Sequence, residues 1–281
     1  MRHRTPLRYP GGTSHLGSFF ADLVRVNSLS DGAYVEPYAG GAGVGISLLL
    51  GEYVDSVWIN DIDPAVWAFW HSVIHHDGEL RRRIETTPLS LPERARQKAI
   101  YRRGLEAGIL QLGFAFFYLN RTNRSGILDG GVIGGKKQKG EWKIDARFNR
   151  EELSDRVRRI ARYRSRLHLH NDDALMFLQT ILERLPRRTL IYLDPPYYDK
   201  GRHLYANFYT PDDHRTIATT VKRLTRPWVV SYDDHYQTRR LYKGYPSRRY
   251  GLSYSAREKR KGAEVMFFAR DVAVPRSLPG K

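Results

Sequence analysis

Apolar residues along the chain follow two different periods, and together these predict alternating strands and helices. The runs "AYVEP" at 33–37 and "VWIND" at 57–61 are short and apolar, which is typical of buried strands. Between them, the glycine-rich turn "YAGGAGVG" leads into "ISLLLGE", which predicts a helix. A further helix is predicted to begin at Asp63-Pro64, because an acidic cap followed by proline is typical of helix starts.

The second half of the chain repeats this alternation. "RLHLHNDDALMFLQTIL" predicts a strand and a helix, "TLIYLD" a strand, the segment after "YTPDDH" a helix, and "WVVSYD" another strand. The ending "YGLSYSAREKRKGAEVMFF" predicts two strands joined by a basic turn, an antiparallel hairpin that closes the sheet. The fold class is therefore α/β, with a mostly parallel sheet and helices on both faces.

Residues 76–164 interrupt this alternation with a basic and mainly helical segment. Its glycine- and lysine-rich part, "LDGGVIGGKKQKGEWK", predicts an exposed loop. The aromatic row at 114–118 predicts core packing, after which Asn120 and Arg121 are expected to emerge at a surface. The predicted organisation is one α/β domain made of residues 1–75 and 165–281, with 76–164 as an insertion.

Charge and composition limit the functions that this fold can have. The 281 residues include 47 Lys and Arg against 30 Asp and Glu, a net charge of +17 that favours nucleic acid as a partner over a merely solvated basic surface. The absence of cysteine excludes disulfides, zinc knuckles and a thiolate nucleophile. No apolar run approaches the roughly 20 residues of a membrane span, so a cytoplasmic protein without membrane contact is expected.

Two predicted strands end in motifs that suit a binding site, and ligands in parallel sheets bind beyond the carboxyl ends of the strands. The turn that begins at Gly40 lets the backbone approach a ligand, and Asp61, 21 residues later, can accept hydrogen bonds from ribose hydroxyls. Glu36, directly before Pro37, is a second acid at a strand end. This pattern fits a dinucleotide, S-adenosylmethionine or a purely structural turn.

The motif "DPPY" at 194–197 is more specific. The exocyclic amine of adenine is a poor nucleophile, and two acceptors on its N–H bonds can return the lone pair to nitrogen. Asp194 supplies a carboxylate, and Pro195 a carbonyl whose direction the ring of Pro196 constrains. Tyr197 offers an aromatic face for an unstacked base. The alternative is a strand end followed by a rigid turn.

These motifs resemble the D12 class of DNA adenine-N6 methyltransferases. The matching blocks are "RYPGGTSHL", "EPYAGGAGVG", "NRTNRSG" and "DPPYY", with the closing "SYSAREKRKGAEVMFF", and they span residues 8–268. The resemblance implies a Rossmann-like methyltransferase sheet, S-adenosylmethionine as methyl donor and no metal. It also implies that 76–164 is a helical target-recognition insertion for double-stranded DNA.

The resemblance also assigns residues to roles. It implies that Asp194, Pro195, Pro196 and Tyr197 are catalytic. The implied cofactor-binding residues are Tyr9, Gly12, Glu36, Pro37, Tyr38, Gly40, Asp61, Asp173 and Asp194, and the implied nucleic-acid contacts are Asn120, Arg121, Arg124, Lys136, Lys137 and Tyr198. Two departures from the family concern the cofactor site, where Thr13 replaces a usual lysine, and the base contacts, where Asn123 and Arg124 replace a frequent aromatic.

Other clusters favour ordinary structural roles. His168, His170 and Asp172 share one face of a strand, and His71 and His75 lie one helical turn apart; both sets are interpreted as polar faces rather than metal sites. The arginine run at 156–166 is expected to contact phosphates.

The leading hypothesis is site-specific methylation of adenine N6 in DNA, with the adenine extruded from the duplex. RNA adenine-N6 and DNA cytosine-N4 methylation remain alternatives, followed by a binding-only protein and a nicotinamide dehydrogenase. Cytosine-C5 methylation is excluded because it requires a cysteine nucleophile. A monomer is expected, and a cognate restriction enzyme is a candidate partner.

Overall fold

The computed structural model describes residues 5–8, 16–198, 209–252 and 262–277. Seven strands form one sheet in the order β3-β2-β1-β4-β5-β7-β6. The first five strands are parallel, whereas β7 runs antiparallel to both β5 and β6. The strands are β1 (Ala33–Glu36), β2 (Ser56–Asn60), β3 (Leu167–His170), β4 (Thr189–Leu193), β5 (Trp228–Asp233), β6 (Ser247–Leu252) and β7 (Gly262–Phe268).

Ten α-helices flank this sheet within the described ranges. None of these helices has the length and apolarity needed to cross a membrane. They are α1 (Gly17–Val26), α2 (Gly43–Leu50), α3 (Pro64–His75), α4 (Asp77–Thr86), α5 (Leu91–Arg102), α6 (Ile109–Thr122), α7 (Arg150–Ala161), α8 (Ala174–Ile181), α9 (Pro211–Lys222) and α10 (Tyr236–Leu241).

The structure confirms the predicted fold class, a Rossmann-like α/β sheet closed by an antiparallel pair. The central strands β1 and β4 are buried along their whole length, as expected of parallel strands covered on both faces. The cap of α3 is also as predicted, since the side chain of Asp63 accepts a hydrogen bond from the Ala65 amide at 2.8 Å. The closing hairpin is present as β6 and β7, but its predicted basic turn lies outside the described residues.

The segment 76–164 contacts the rest of the protein through its helix α6, which packs against α3. The rings of Phe69 and Phe117 are parallel with centroids 5.7 Å apart, and the other aromatic residues of the row at 114–118 are buried as predicted. Gly113 permits this contact, because a Cβ there would lie 2.5 Å from the carbonyl oxygen of Ala68. The two parts of the chain therefore share one hydrophobic core, and their division into two domains stays a prediction.

One expectation about this segment is wrong. Asn120 does not emerge at a surface, because the aromatic row continues into the core and leaves Asn120 only 2% exposed. The contact of the arginines at 156–166 with phosphates stays a prediction, and most of these arginines lie next to carboxylates of the protein. Arg156 pairs with Glu152, Arg158 and Arg159 with Asp155, Arg164 with Asp77, and Arg166 with Glu52.

Candidate active site

The two sequence motifs meet at one edge of the sheet because β1 and β4 are neighbours. Val35 of β1 pairs with Ile191 of β4 in a parallel register, so both strands end at the same side. Glu36 and Asp194 follow at these ends, and the charge of Asp194 raises the pKa of Glu36. The glycine turn and the "DPPY" motif therefore contribute to a single site.

Asp194 is held by the neighbouring strand β5. The hydroxyl of Ser231 donates a hydrogen bond to Oδ1 of Asp194, and the same hydroxyl lies 2.8 Å from that of Tyr192. Burial, together with the charge of Glu264, raises the pKa of Asp194 to about 7 against the opposing effect of the Ser231 hydrogen bond. The carboxyl group of Asp194 is consequently poised to change its charge near neutral pH.

Tyr197 is fixed by the last strand of the sheet. Its hydroxyl donates to Oε1 of Glu264 at 2.7 Å, and Glu264 is itself buried in β7. Pro195 is buried and Pro196 half-buried, so the motif forms a rigid wall of the site rather than a mobile loop. Glu264 was missed from the sequence, although an acid inside the apolar run "AEVMFF" is a usable signal.

Tyr198 points into a cluster of the protein's own side chains. Its backbone amide donates to Oδ1 of Asp233 at 3.0 Å. Its ring is stacked on His235 at 5.1 Å and lies 4.9 Å from the ring of His214. Tyr198 thus borders the "DPPY" wall, and contacts within the protein already fix its position.

The glycine turn is organised by Asp61. The amides of Gly40 and Asp63 donate to its two carboxylate oxygens at 2.8 and 3.0 Å, while the Gly40 carbonyl accepts from Nε1 of Trp70 at 2.9 Å. Burial raises the pKa of Asp61 to about 7 in spite of these two bonds. Gly40 has a φ of 46°, which explains the glycine at this position.

Glu36 is the most deeply buried acid of the site. It is 3% exposed, and burial raises its pKa to about 8 although the hydroxyl of Tyr34 donates to Oε1 at 3.0 Å. A protonated or cation-paired carboxyl is therefore its stable state. Among the described residues, the acids Glu36, Asp61 and Asp194 thus favour a positively charged ligand at this edge.

The remaining residues of the predicted cofactor group surround these acids. Pro37 is buried, and its carbonyl accepts from Nδ2 of Asn60 at 3.0 Å. The ring of Tyr38 lies 6.1 Å from that of Tyr209, and burial, with smaller effects of neighbours that include Tyr209 and Asp173, raises the pKa of Tyr38. Asp173 is exposed and caps α8, and the predicted residues Tyr9 and Gly12 lie outside the described part of the chain.

Asn60 is a further residue that the sequence did not reveal. Besides Pro37 it binds Asp172, with Nδ2 donating to the Asp172 carbonyl at 2.9 Å and Oδ1 accepting from the Asp172 amide at 2.9 Å. It therefore joins the loops that follow β1 and β3. An asparagine at the end of a buried strand is the signal that could have indicated it.

The predicted nucleic-acid contacts divide into buried and exposed residues. The Asn120 side chain binds the amide and the carbonyl of Arg8 at 2.8 and 2.6 Å, and the Gly126 carbonyl at 3.1 Å, so its polar atoms are bound to the protein's own backbone and its contact with DNA stays a prediction. Arg121 is half-buried, and burial with the charges of nearby arginines lowers its pKa to about 9. Arg124, Lys136 and Lys137 are exposed.

Comparison with known proteins agrees with this site. A family model described as D12 class N6 adenine-specific DNA methyltransferase matches residues 9–253. The chain belongs to this family. As a member of the D12 class, the protein is an enzyme, and its class of reaction is methyl transfer to adenine. Among curated proteins, none matches the chain.

Two solved structures resemble the D12-class chain over most of its length. One, from Pyrococcus horikoshii, carries the name of a candidate RNA methyltransferase; it is 9% identical, with a TM-score of 0.42 and coverage of 94% of this chain and 87% of that one. The other is a protein from Legionella pneumophila str. Philadelphia 1, 13% identical, with a TM-score of 0.35 and coverage of 92% and 86%.

Proposed function

We propose that the protein transfers a methyl group from S-adenosylmethionine to N6 of an adenine in double-stranded DNA. The observation that carries this proposal is the meeting of Asp194 and Glu36 at one edge of the sheet, where each strand end contributes an acid. Asp194 can orient an amine, and Glu36 can face a cation. A dehydrogenase would need the glycine turn and Asp61 but would have no use for the "DPPY" wall.

The residues present fit the proposed cofactor. Glu36, Asp61 and Asp194 supply negative charge, and Glu36 with its pKa of about 8 gains most from a cationic neighbour. S-adenosylmethionine, when bound, supplies a methyl group on a positively charged sulfur. The residues that would hold it are Glu36, Pro37, Tyr38, Gly40, Asp61 and Asp173.

Asp194 and Pro195 would bind the exocyclic amine of the target adenine. An ionised Asp194 accepts one N–H and the Pro195 carbonyl accepts the other, which directs the nitrogen lone pair out of the ring system. Bound S-adenosylmethionine would supply the methyl group to N6, and Asp194 would take the proton that N6 loses. Its pKa of about 7 suits both accepting and releasing that proton.

Tyr197 would supply the surface on which the extruded base lies. An amine inside a duplex is blocked, so the adenine must leave the helix before it can react. The hydrogen bond from the Tyr197 hydroxyl to Glu264 limits rotation of the phenol ring, which reduces the entropy lost when a base stacks on it. Exposed Arg124, Lys136 and Lys137 of the segment 76–164 would contact DNA phosphates. Action as a monomer and pairing with a restriction enzyme stay predictions.

The test offers the purified protein S-adenosylmethionine with a labelled methyl group, together with sequence-matched duplex DNA and structured RNA. We expect label in DNA, recovered after digestion as N6-methyladenine. Label only in RNA would overturn the choice of DNA, and label in cytosine would overturn the choice of base. Asp194→Asn serves as the control for contaminating activities, because it removes the carboxylate but keeps the side-chain volume.

A further inference from the structure

A cleft beside the edge strand β3 brings together two histidine pairs that are far apart in the sequence. Its volume is about 350 Å³, and none of its lining residues belongs to the candidate active site. His71 and His75 enter it from α3, and His168 and His170 from β3. Two patterns interpreted separately as polar faces therefore form one surface.

Aromatic rings form the floor of this cleft. The imidazole of His168 is stacked on the indole of Trp58 at 4.1 Å with an angle of 22°. The guanidinium of Arg184 lies 5.6 Å from the Trp58 ring centroid. On the α3 side, the imidazole of His71 lies 5.0 Å from the ring of Trp67 and 4.5 Å from that of His75. These contacts fix the imidazoles in place without occupying their nitrogens.

The charge of the cleft depends on its histidines, because two carboxylates match its two arginines. Arg164 and Arg184 line it together with the four histidines. Two carboxylates oppose them, Asp77 from α4 at 3.8 Å from Arg164 and Asp172 at 3.8 Å from His170. Both separations exceed hydrogen-bonding distance, so these two ion pairs are not hydrogen-bonded.

One imidazole nitrogen of the cleft has unused hydrogen-bonding capacity. Within the described residues, Nδ1 of His71 is buried without a hydrogen-bond partner. Burial, followed by repulsion from neighbouring histidines, lowers the pKa of His71 and of His168, and Arg184 adds to the repulsion at His168. An anion in the cleft would relieve this repulsion. A shared metal ion is a poor alternative, because no three acidic or imidazole groups of the described chain are placed to hold one.

We propose that this cleft binds a phosphoryl group and takes up protons as it does so. His71, His168 and His170 gain charge below their lowered pKa values, so affinity rises as pH falls. Arg164 and Arg184 supply pH-independent attraction, and Asp77 and Asp172 limit it. The ligand is either a free phosphate compound or a backbone phosphate of nucleic acid, which offer the same chemistry to the cleft.

The test is calorimetric titration of the full chain with inorganic pyrophosphate. Affinity should be about tenfold higher at about pH 6 than at about pH 8, because the bound anion favours protonated imidazoles and the lower pH supplies the protons that they take up. Arg184→Gln should weaken binding about fivefold at the lower pH, because it removes one of the two arginine charges that line the cleft. Arg223→Gln removes an exposed charge elsewhere and is the matched control, since it should change affinity less than twofold, about the effect of a distant screened charge.

Histidine NMR provides a readout that does not depend on a variant. Pyrophosphate should raise the pKa of His71 and His168 in the unaltered protein. If the two arginine variants bind alike, if affinity is independent of pH, or if neither histidine pKa moves, the proposal is wrong. A short single-stranded oligonucleotide is then tested for displacement of pyrophosphate from the cleft. Displacement that is weaker in Arg184→Gln would identify a nucleic-acid backbone as the source of the phosphate. No displacement would identify a free phosphate compound. Methyl transfer does not enter any of these measurements.

Discussion

The hydrogen bond between Tyr197 and Glu264 places a second carboxylate behind the catalytic one, and this leads to a quantitative prediction. Glu264→Gln removes a negative charge but keeps an oxygen that can accept from the Tyr197 hydroxyl. The charge of Glu264 raises the pKa of Asp194, so its removal should lower that pKa. Because the ionised form of Asp194 is the one that accepts the amine, activity should persist to lower pH.

The size of the shift follows from the sheet. Asp194 follows β4, and Glu264 lies in β7, with β5 between them. Two spacings of about 4.8 Å place the carboxylates about 10 Å apart, and at an effective dielectric constant of about 20 their repulsion is about 1.7 kcal/mol. At about 1.4 kcal/mol per pKa unit, the pKa of Asp194 should fall by about one unit.

The assay is the pH dependence of kcat/KM for methyl transfer, which reports ionisation in the free enzyme. The acid limb of this pH profile, along which kcat/KM falls as pH falls, should have its midpoint near the Asp194 pKa of about 7 in the unaltered protein. In Glu264→Gln the midpoint should lie about one pH unit lower. Glu151→Gln, an exposed change on α7, should leave the limb in place. A limb that stays fixed or moves upward in Glu264→Gln would refute the reasoning.

Three further substitutions test other parts of the structure. Ser231→Ala removes a hydrogen bond to the ionised form of Asp194, so the acid limb should move to higher pH, and an unchanged limb would show that the bond is unimportant. Asn120→Ala should lower the free energy of unfolding by about 1–3 kcal/mol in urea titrations, because it leaves buried backbone groups unpaired. Gly113→Ala should lower the free energy of unfolding by about 1–3 kcal/mol, because the added Cβ overpacks the contact with α3. Gly78→Ala should not destabilise the protein, because a Cβ at Gly78 meets no atom within 4 Å. Equal effects of the two substitutions would contradict the packing argument.

Local patterns in the sequence were sufficient for most of the fold. Continuous apolar runs predicted the parallel strands, and Asp63 with Pro64 predicted the start of α3, because both signals depend on near neighbours alone. The glycine turn and Asp194 were predictable for a related reason: strand ends in a parallel sheet meet at one edge. Glu36 and Asp194 lie at the same edge because β1 and β4 are neighbouring strands.

Contacts that depend on strand order were not predictable. Ser231 and Glu264 reach Asp194 and Tyr197 only because β5 and then β7 follow β4 in the sheet, an order that no local pattern contains. Asn120 was expected at the surface because its polarity outweighed its position after an apolar helix face. The structure satisfies that polarity with the backbone of Arg8, 112 residues away in the chain.

The central claim is that the ionised carboxylate of Asp194 orients the adenine amine for methyl transfer. The most direct measurement is the single-turnover rate of methyl transfer by Asp194→Asn, with binding of DNA and of S-adenosylmethionine measured in parallel. We predict a fall of about 100-fold or more in the rate, with the affinity for DNA within about threefold of the unaltered protein and the rate measured at saturating S-adenosylmethionine. A variant that binds both ligands and still methylates adenine at the original rate would contradict the account.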